Sequence, residues 1–96
     1  MQLSISPRAR ADMDEIWAFI ASESSIEIAD RVLDSLAKKF HLLRLAPYAG
    51  RSRTHDLRAG LRSIASGKYV VFYTVNAGIV RIVRVLHGSR DLPAYL

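Results

Sequence analysis

The chain has no cysteine, which excludes disulfides and thiolate metal sites and fits a reducing compartment. It has no long apolar run. The longest uncharged stretch is Tyr69 to Val80, short of the roughly 20 residues a membrane helix needs, so it reads as soluble core. Signal-peptide character is missing too, because Met1 to Ser6 is followed at once by Arg8 and Arg10. A cytoplasmic location is the expectation, with no membrane contact. Glycine is scarce and unclustered. Gly60, Gly67 and Gly78 mark turns and form no phosphate loop.

Acidic residues are nearly missing from the second half. Residues 1–40 hold five basic and seven acidic side chains, whereas residues 41–96 hold nine basic ones and only Asp56 and Asp91. The net charge is +5. A basic surface on a nearly neutral scaffold suits a polyanionic partner, either a nucleic acid or an acidic protein. With 96 residues, residues 1–96 are expected to form one domain. Its core is thin, since a chain this short buries only about 60–65% of the surface it exposes when unfolded.

The hydrophobic pattern divides the chain in two. Gln2 to Ser6 alternates and predicts a short strand. Ser6-Pro7 then opens a helix, with serine as cap and proline at the first position. Asp12, Asp14 and Glu15 lie near its positive end. Ala9, Met13, Ile16, Trp17 and Ile20 make its apolar stripe. Ser24 to Glu27 fits a Ser-x-x-Glu capping box for a second helix, with Ala29, Val32, Leu33, Leu36, Phe40 and Leu43 on its buried face. Lys38, Lys39 and Arg44 complement its far end, and Pro47 and Gly50 stop it. The short link predicts an antiparallel helical hairpin.

From Leu61 the period becomes that of strands: Leu61 to Ala65, Lys68 to Val75 and Ile79 to His87, separated by Ser66-Gly67 and Asn76-Ala77-Gly78 turns. Tight turns imply antiparallel neighbours. The expected fold is therefore α+β, in the order β-α-α-β-β-β, with the hairpin packed on a small, mainly antiparallel sheet. Ala46 to Gly60 reads as irregular. Strict alternation groups Tyr69, Val71, Tyr73 and Val75 on one face, with Val70 and Phe72 opposite. It likewise groups Ile79, Val83 and Val85 against Val80, Ile82 and Leu86. A sheet apolar on both faces needs cover on both. One hairpin covers one face, so a partner chain is the expected cover of part of the other or of a sheet edge. The competing cover is the long loop with the C-terminal tail.

Candidate chemistry is sparse. His41, His55 and His87 lack metal-ligand spacing, and Ser63, Ser66 and Ser89 lack a nucleophile elbow. Neither a metal nor a cofactor is expected. Metal-free RNA cleavage needs a base, an acid and cations. Arg58, Arg62, Arg81, Arg84 and Arg90 supply cations, and His55, His87, Tyr73 and Tyr95 could move protons, but no spacing demands such a pair. The plainer reading is that the arginines solvate the sheet face and the loop. In the closing His87-Gly88-Ser89-Arg90-Asp91, neighbouring Arg90 and Asp91 point to opposite sides in an extended segment. Each is expected to pair elsewhere, with the hairpin or with Arg62, making the motif first a structural clasp.

"GLRSIASGKYVVFYTV" and "VRIVRVLHGSRDL", with the opening "LSISPRARADMDEIWAFIA" and the mid-chain "LAPYAGR", resemble the ParE branch of the ParE/RelE toxin superfamily over nearly the whole chain. The resemblance implies the toxin of a bacterial type II toxin–antitoxin module. It would be neutralised by a ParD-like ribbon-helix-helix antitoxin with an acidic or flexible C-terminal segment, and would touch DNA only through that antitoxin. It also implies inhibition of DNA gyrase without enzymatic turnover, so no catalytic residue is assigned. Arg58, Arg62, Arg84, His87, Arg90 and Asp91 are the residues expected to serve activity or the antitoxin-masked surface. One alternative is a RelE-like, ribosome-dependent mRNA endonuclease using His87 or Tyr95 with Arg62 and Arg84. Another is a degenerate relative acting as a binding module or co-repressor. The His-Gly-Ser-Arg-Asp ending, without a lysine-rich loop, favours the ParE branch.

Overall fold

The computed structural model describes residues 1–96. Its elements are β1 (Gln2–Ile5), α1 (Pro7–Glu23), α2 (Ile26–Leu45), β2 (Arg51–Ser52), β3 (Arg62–Ser66), β4 (Tyr69–Asn76), β5 (Ile79–His87) and α3 (Leu92–Tyr95). The α+β class and the order of the six expected elements are borne out, and two further short ones are added. The two short ones, β2 and α3, fall in segments without periodicity of their own. The sheet order is β1-β5-β4-β3-β2. Only the β1–β5 pair is parallel; the other three are antiparallel.

Ser6 sets the first corner. Its hydroxyl accepts from the Ala9 N–H at 3.0 Å and donates to the Val83 carbonyl at 2.8 Å. One side chain thus caps α1 and ties its start to β5. The second cap differs from the expected box. Ser24 closes α1 through its N–H to Ile20, and Ser25 caps α2 by accepting from Ile28. With the cap one residue later, position N3 is Ile28. Glu27 therefore cannot return the bond a capping box requires.

The main core lies between the hairpin and the sheet: Ala9, Leu36, Phe40 and Leu43 against Val71, Tyr73, Val80, Ile82 and Val85. The expected faces of β4 hold, but strict alternation on β5 fails. Phe72 pairs with Arg84 while Tyr73 pairs with Ile82, which leaves Val83 as an extra residue, a β-bulge. Val85 therefore joins Val80 and Ile82, and Leu86 moves to the opposite face, where alternation already places Val83.

That opposite face is covered from within the chain, which corrects the expectation that a partner covers it. Leu61, Phe72 and Leu86 form a second buried cluster, closed by Leu57 from the loop and by Leu92 and Leu96 from the tail. The remaining exposed apolar side chains lie chiefly on the helices, among them Phe19, Ile26, Ile28 and Leu45. No helix is long and apolar enough to cross a membrane.

Candidate functional site

The bulge at Val83 brings Arg84 to the point where α1, β5 and the C-terminal segment meet. Its Nε donates to Asp12 Oδ2 at 2.8 Å and its Nη2 to Asp12 Oδ1 at 2.9 Å. Asp12 also accepts from the Val85 N–H at 3.0 Å. Its side chain is 4% exposed and that of Arg84 11%, so this is a buried, two-pronged ion pair. The bond to Asp12 holds the guanidinium of Arg84 above its ordinary pKa, outweighing the cost of burial. The sequence placed Asp12 only as a favourable charge near the start of a helix, and missed this role.

Tyr95 gathers two arginines. Its carbonyl accepts from Arg84 Nη1 at 3.0 Å and its hydroxyl from Arg90 Nη1 at 2.8 Å. Both guanidinium groups also lie over its ring, at 5.9 and 5.1 Å from the centroid, within cation–π range. These contacts pin α3, a helix too short to hold alone.

His87, at the end of β5, sits edge-on to Tyr69 with ring centroids 5.5 Å apart. Its Nδ1 accepts from the Ser89 N–H at 3.1 Å and lies 2.7 Å from the Ser89 hydroxyl. The turn is fixed by the Gly88 N–H, which donates to the Lys68 carbonyl at 2.9 Å. Asp91 departs from expectation. It stands at the cap position of α3 without a side-chain cap bond, and pairs neither with the hairpin nor with Arg62. The reason is geometric. The tail folds over the second sheet face, which leaves Asp91 exposed at the turn, while Arg62 lies at the β2–β3 side of the sheet.

There Arg62 donates to the Gly50 carbonyl at 2.6 Å and the Tyr48 carbonyl at 3.3 Å, and stacks on Tyr48 at 5.2 Å. Its task is to hold the Pro47–Gly50 turn. Tyr73 serves the same turn: its buried hydroxyl donates to the Pro47 carbonyl at 2.8 Å and accepts from the Gly50 N–H at 3.0 Å. Arg53, not among the expected site residues, organises the loop. It is 8% exposed, makes a two-pronged pair with Asp56 and donates to the Ser63 hydroxyl at 3.0 Å.

The structure thus brings Arg84, His87, Arg90 and Tyr95 to one cleft, beside Arg8, Asp12 and Phe19. Arg58 borders the adjoining groove with Arg84. Arg62 is separate, and Asp91 lines neither. A second, more apolar cleft between the hairpin and the β3–β4 turn shares Phe19, Tyr69 and His87, and adds Ile20, Ile28 and Val32. Phe19 is 64% exposed there. No cluster of three or more His, Cys, Asp or Glu side chains is present.

Comparison with known proteins agrees with this architecture. A solved structure described as a chromosomal ParDE TA system from P. aeruginosa superposes with a TM-score of 0.79, at 19% identity, over 91% of this chain and 95% of that one. That likeness shows the fold. Toxin ParE1 of Caulobacter vibrioides is 38% identical over 92 residues, covering 96% of this chain and 94% of the relative. Toxin ParE1 of Mycobacterium tuberculosis is 30% identical over 89 residues, covering 92% and 90%. The family model described as the ParE toxin of the type II toxin-antitoxin system, parDE, matches residues 3–92. With its closing residues in one cleft and that match running from β1 into α3, the chain belongs to the ParE toxin family of type II toxin–antitoxin modules.

Proposed function

We propose that this toxin inhibits DNA gyrase in the cytoplasm by binding it, without turnover, and that a ParD-like ribbon-helix-helix antitoxin neutralises it. One observation carries the non-enzymatic reading. Two of the arginines that the ribonuclease alternative assigns to its site are committed to the fold, Arg84 to Asp12 and the Tyr95 carbonyl, Arg62 to the Tyr48 and Gly50 carbonyls. A guanidinium already bonded to a buried carboxylate is poorly placed to stabilise developing phosphate charge. The exposed Phe19 and Ile28 offer the antitoxin an apolar anchor surface on the hairpin.

The test is a supercoiling assay with purified gyrase, ATP and the toxin freed from its antitoxin. Dose-dependent inhibition, reversed by adding the antitoxin, is the expected result. A refolded toxin without effect on gyrase, but cleaving mRNA on ribosomes, would replace this reading with the RelE-like one.

A further inference from the structure

One groove of the molecule is lined by cations and by no carboxylate side chain. It runs where the start of α1 meets β5 and the C-terminal segment, and its charged walls are Arg8, Arg58, Arg81 and Arg84. These come from a helix, a loop and a strand, so their meeting is a product of the fold and not of local sequence. Arg84 is answered by Asp12. The other three are exposed and form no ion pair, although Arg8 also borders the cleft that holds Asp12 and Glu15. Arg81 donates only to the Ser4 hydroxyl, at 3.0 Å, and Arg8 and Arg58 take part in none of the chain's ion pairs.

Gathering like charges on one groove works against folding and favours an anion outside the chain. Part of the groove's apolar lining is already engaged within the chain. Of its apolar lining, Val83 and Leu96 already belong to the second buried cluster, and the Tyr95 ring is occupied by Arg84 and Arg90. Its polar groups are guanidinium forks and the Ser6 and Thr74 hydroxyls, set beside the apolar surface of Pro7, Val83 and Leu96. The fork matches a phosphate's paired oxygens.

We propose that this groove binds the phosphodiester backbone of DNA directly, with Arg8, Arg58 and Arg81 as its phosphate contacts. Contacts to phosphates alone read charge and not sequence. It adds a direct DNA contact to one made through an antitoxin, and it stands whether or not gyrase is the target.

Fluorescence anisotropy of the full chain with a short labelled duplex of arbitrary sequence tests this, titrated across salt. Binding should weaken with a log–log slope of about −2.7, from roughly −0.9 per phosphate neutralised. Each of Arg8→Gln, Arg58→Gln and Arg81→Gln should reduce that slope by about one, and the triple variant should lose binding. The same charge removed elsewhere, by Lys38→Gln, Arg51→Gln and Lys68→Gln together, should leave the slope near its starting value. Thermal unfolding of each variant confirms the fold. The proposal is overturned by absence of binding at low salt, by equal loss in the control triple, or by tighter binding of single-stranded RNA or a polyglutamate peptide.

Discussion

Asp12 and Arg84 stand 72 residues apart in the chain, and their side chains meet in a two-pronged ion pair at 2.8 and 2.9 Å. This contact locks α1 onto β5 at the bulge. Removing one partner strands the other's charge with little water to replace it. A buried pair broken on one side costs roughly 3–5 kcal/mol. Arg84 keeps its bond to the Tyr95 carbonyl, so Asp12→Ala should cost about 3 kcal/mol, the low end. Urea denaturation measures it. In an Arg84→Met background the same substitution should cost far less, because no charge is left unpaired. Equal costs in both backgrounds would show that Asp12 acts through Val85 alone.

The Pro47–Gly50 turn hangs on Tyr73. Its hydroxyl satisfies the buried Gly50 N–H and the half-buried Pro47 carbonyl. Tyr73→Phe keeps the ring and orphans both groups, which should cost about 2 kcal/mol. Hydrogen exchange at the Gly50 amide should quicken in step. Gly50→Ala attacks the same joint by overlap, since a Cβ there would lie 2.5 Å from the Ser63 carbonyl oxygen and 2.6 Å from the Tyr73 hydroxyl. That clash involves backbone, so it should destabilise at least as much. An alanine variant as stable as the parent would mean the turn moves freely from the sheet.

What the sequence made legible was whatever rests on local spacing. The stripe Ala29, Val32, Leu33, Leu36, Phe40, Leu43 is helical by period, and the Ser66-Gly67 turn sits between two β-rich runs. Both survive into the structure because burial follows period. The faces of Val85 and Leu86 do not, because a bulge at Val83 inserts one residue into the ladder and reverses every later face. No pattern in Arg81 to Leu86 announces it. The cover of the second face was also hidden: Leu92 and Leu96 are too few to show a period, yet they close the Phe72 cluster. Of the candidate site, the gathering of Arg84, His87 and Arg90 was readable from their nearness along one strand and its turn. Arg62 and Asp91 lie outside the cleft those three line, each for its own reason. Arg62 is spent on a backbone turn, and Asp91 is left in solvent by the direction of the tail. Asp12 and Arg53 were missed because their partners are set by tertiary contact.

The loop carries an acid-sensitive joint. Hydrogen bonding to Arg53, then its charge and that of Arg51, hold the Asp56 carboxyl below its ordinary pKa of 3.8 against opposing desolvation. A carboxyl whose pKa is lower folded than unfolded stabilises the fold above the unfolded value, and that stabilisation disappears as pH falls through the folded one. Stability should therefore decline as pH drops below about 4, and Asp56→Asn should flatten this limb while lowering stability at neutral pH. Denaturation midpoints from pH 2 to 7 would show it. An unchanged acid limb in the variant would assign the effect to another carboxylate.

His87 separates clasp from chemistry. Its Nδ1 is engaged by Ser89, and its ring packs edge-on to Tyr69. Both contacts close the turn that sends the tail over the second sheet face. Glutamine can replace part of the hydrogen bonding but not the aromatic contact, worth about 0.5–1.5 kcal/mol. His87→Gln should therefore lower the unfolding midpoint by a few degrees, given roughly 4–8 °C per kcal/mol for a domain this small. The gyrase inhibition proposed above should stay unchanged per folded molecule. Inhibition assays on protein whose folded fraction has been measured make that distinction. If stability holds while growth arrest disappears, His87 meets the target or moves a proton, and the clasp account fails. If both fall together, the ring serves the fold, and the toxin's contact surface must be sought among the exposed side chains that His87 helps to position, Arg90 foremost.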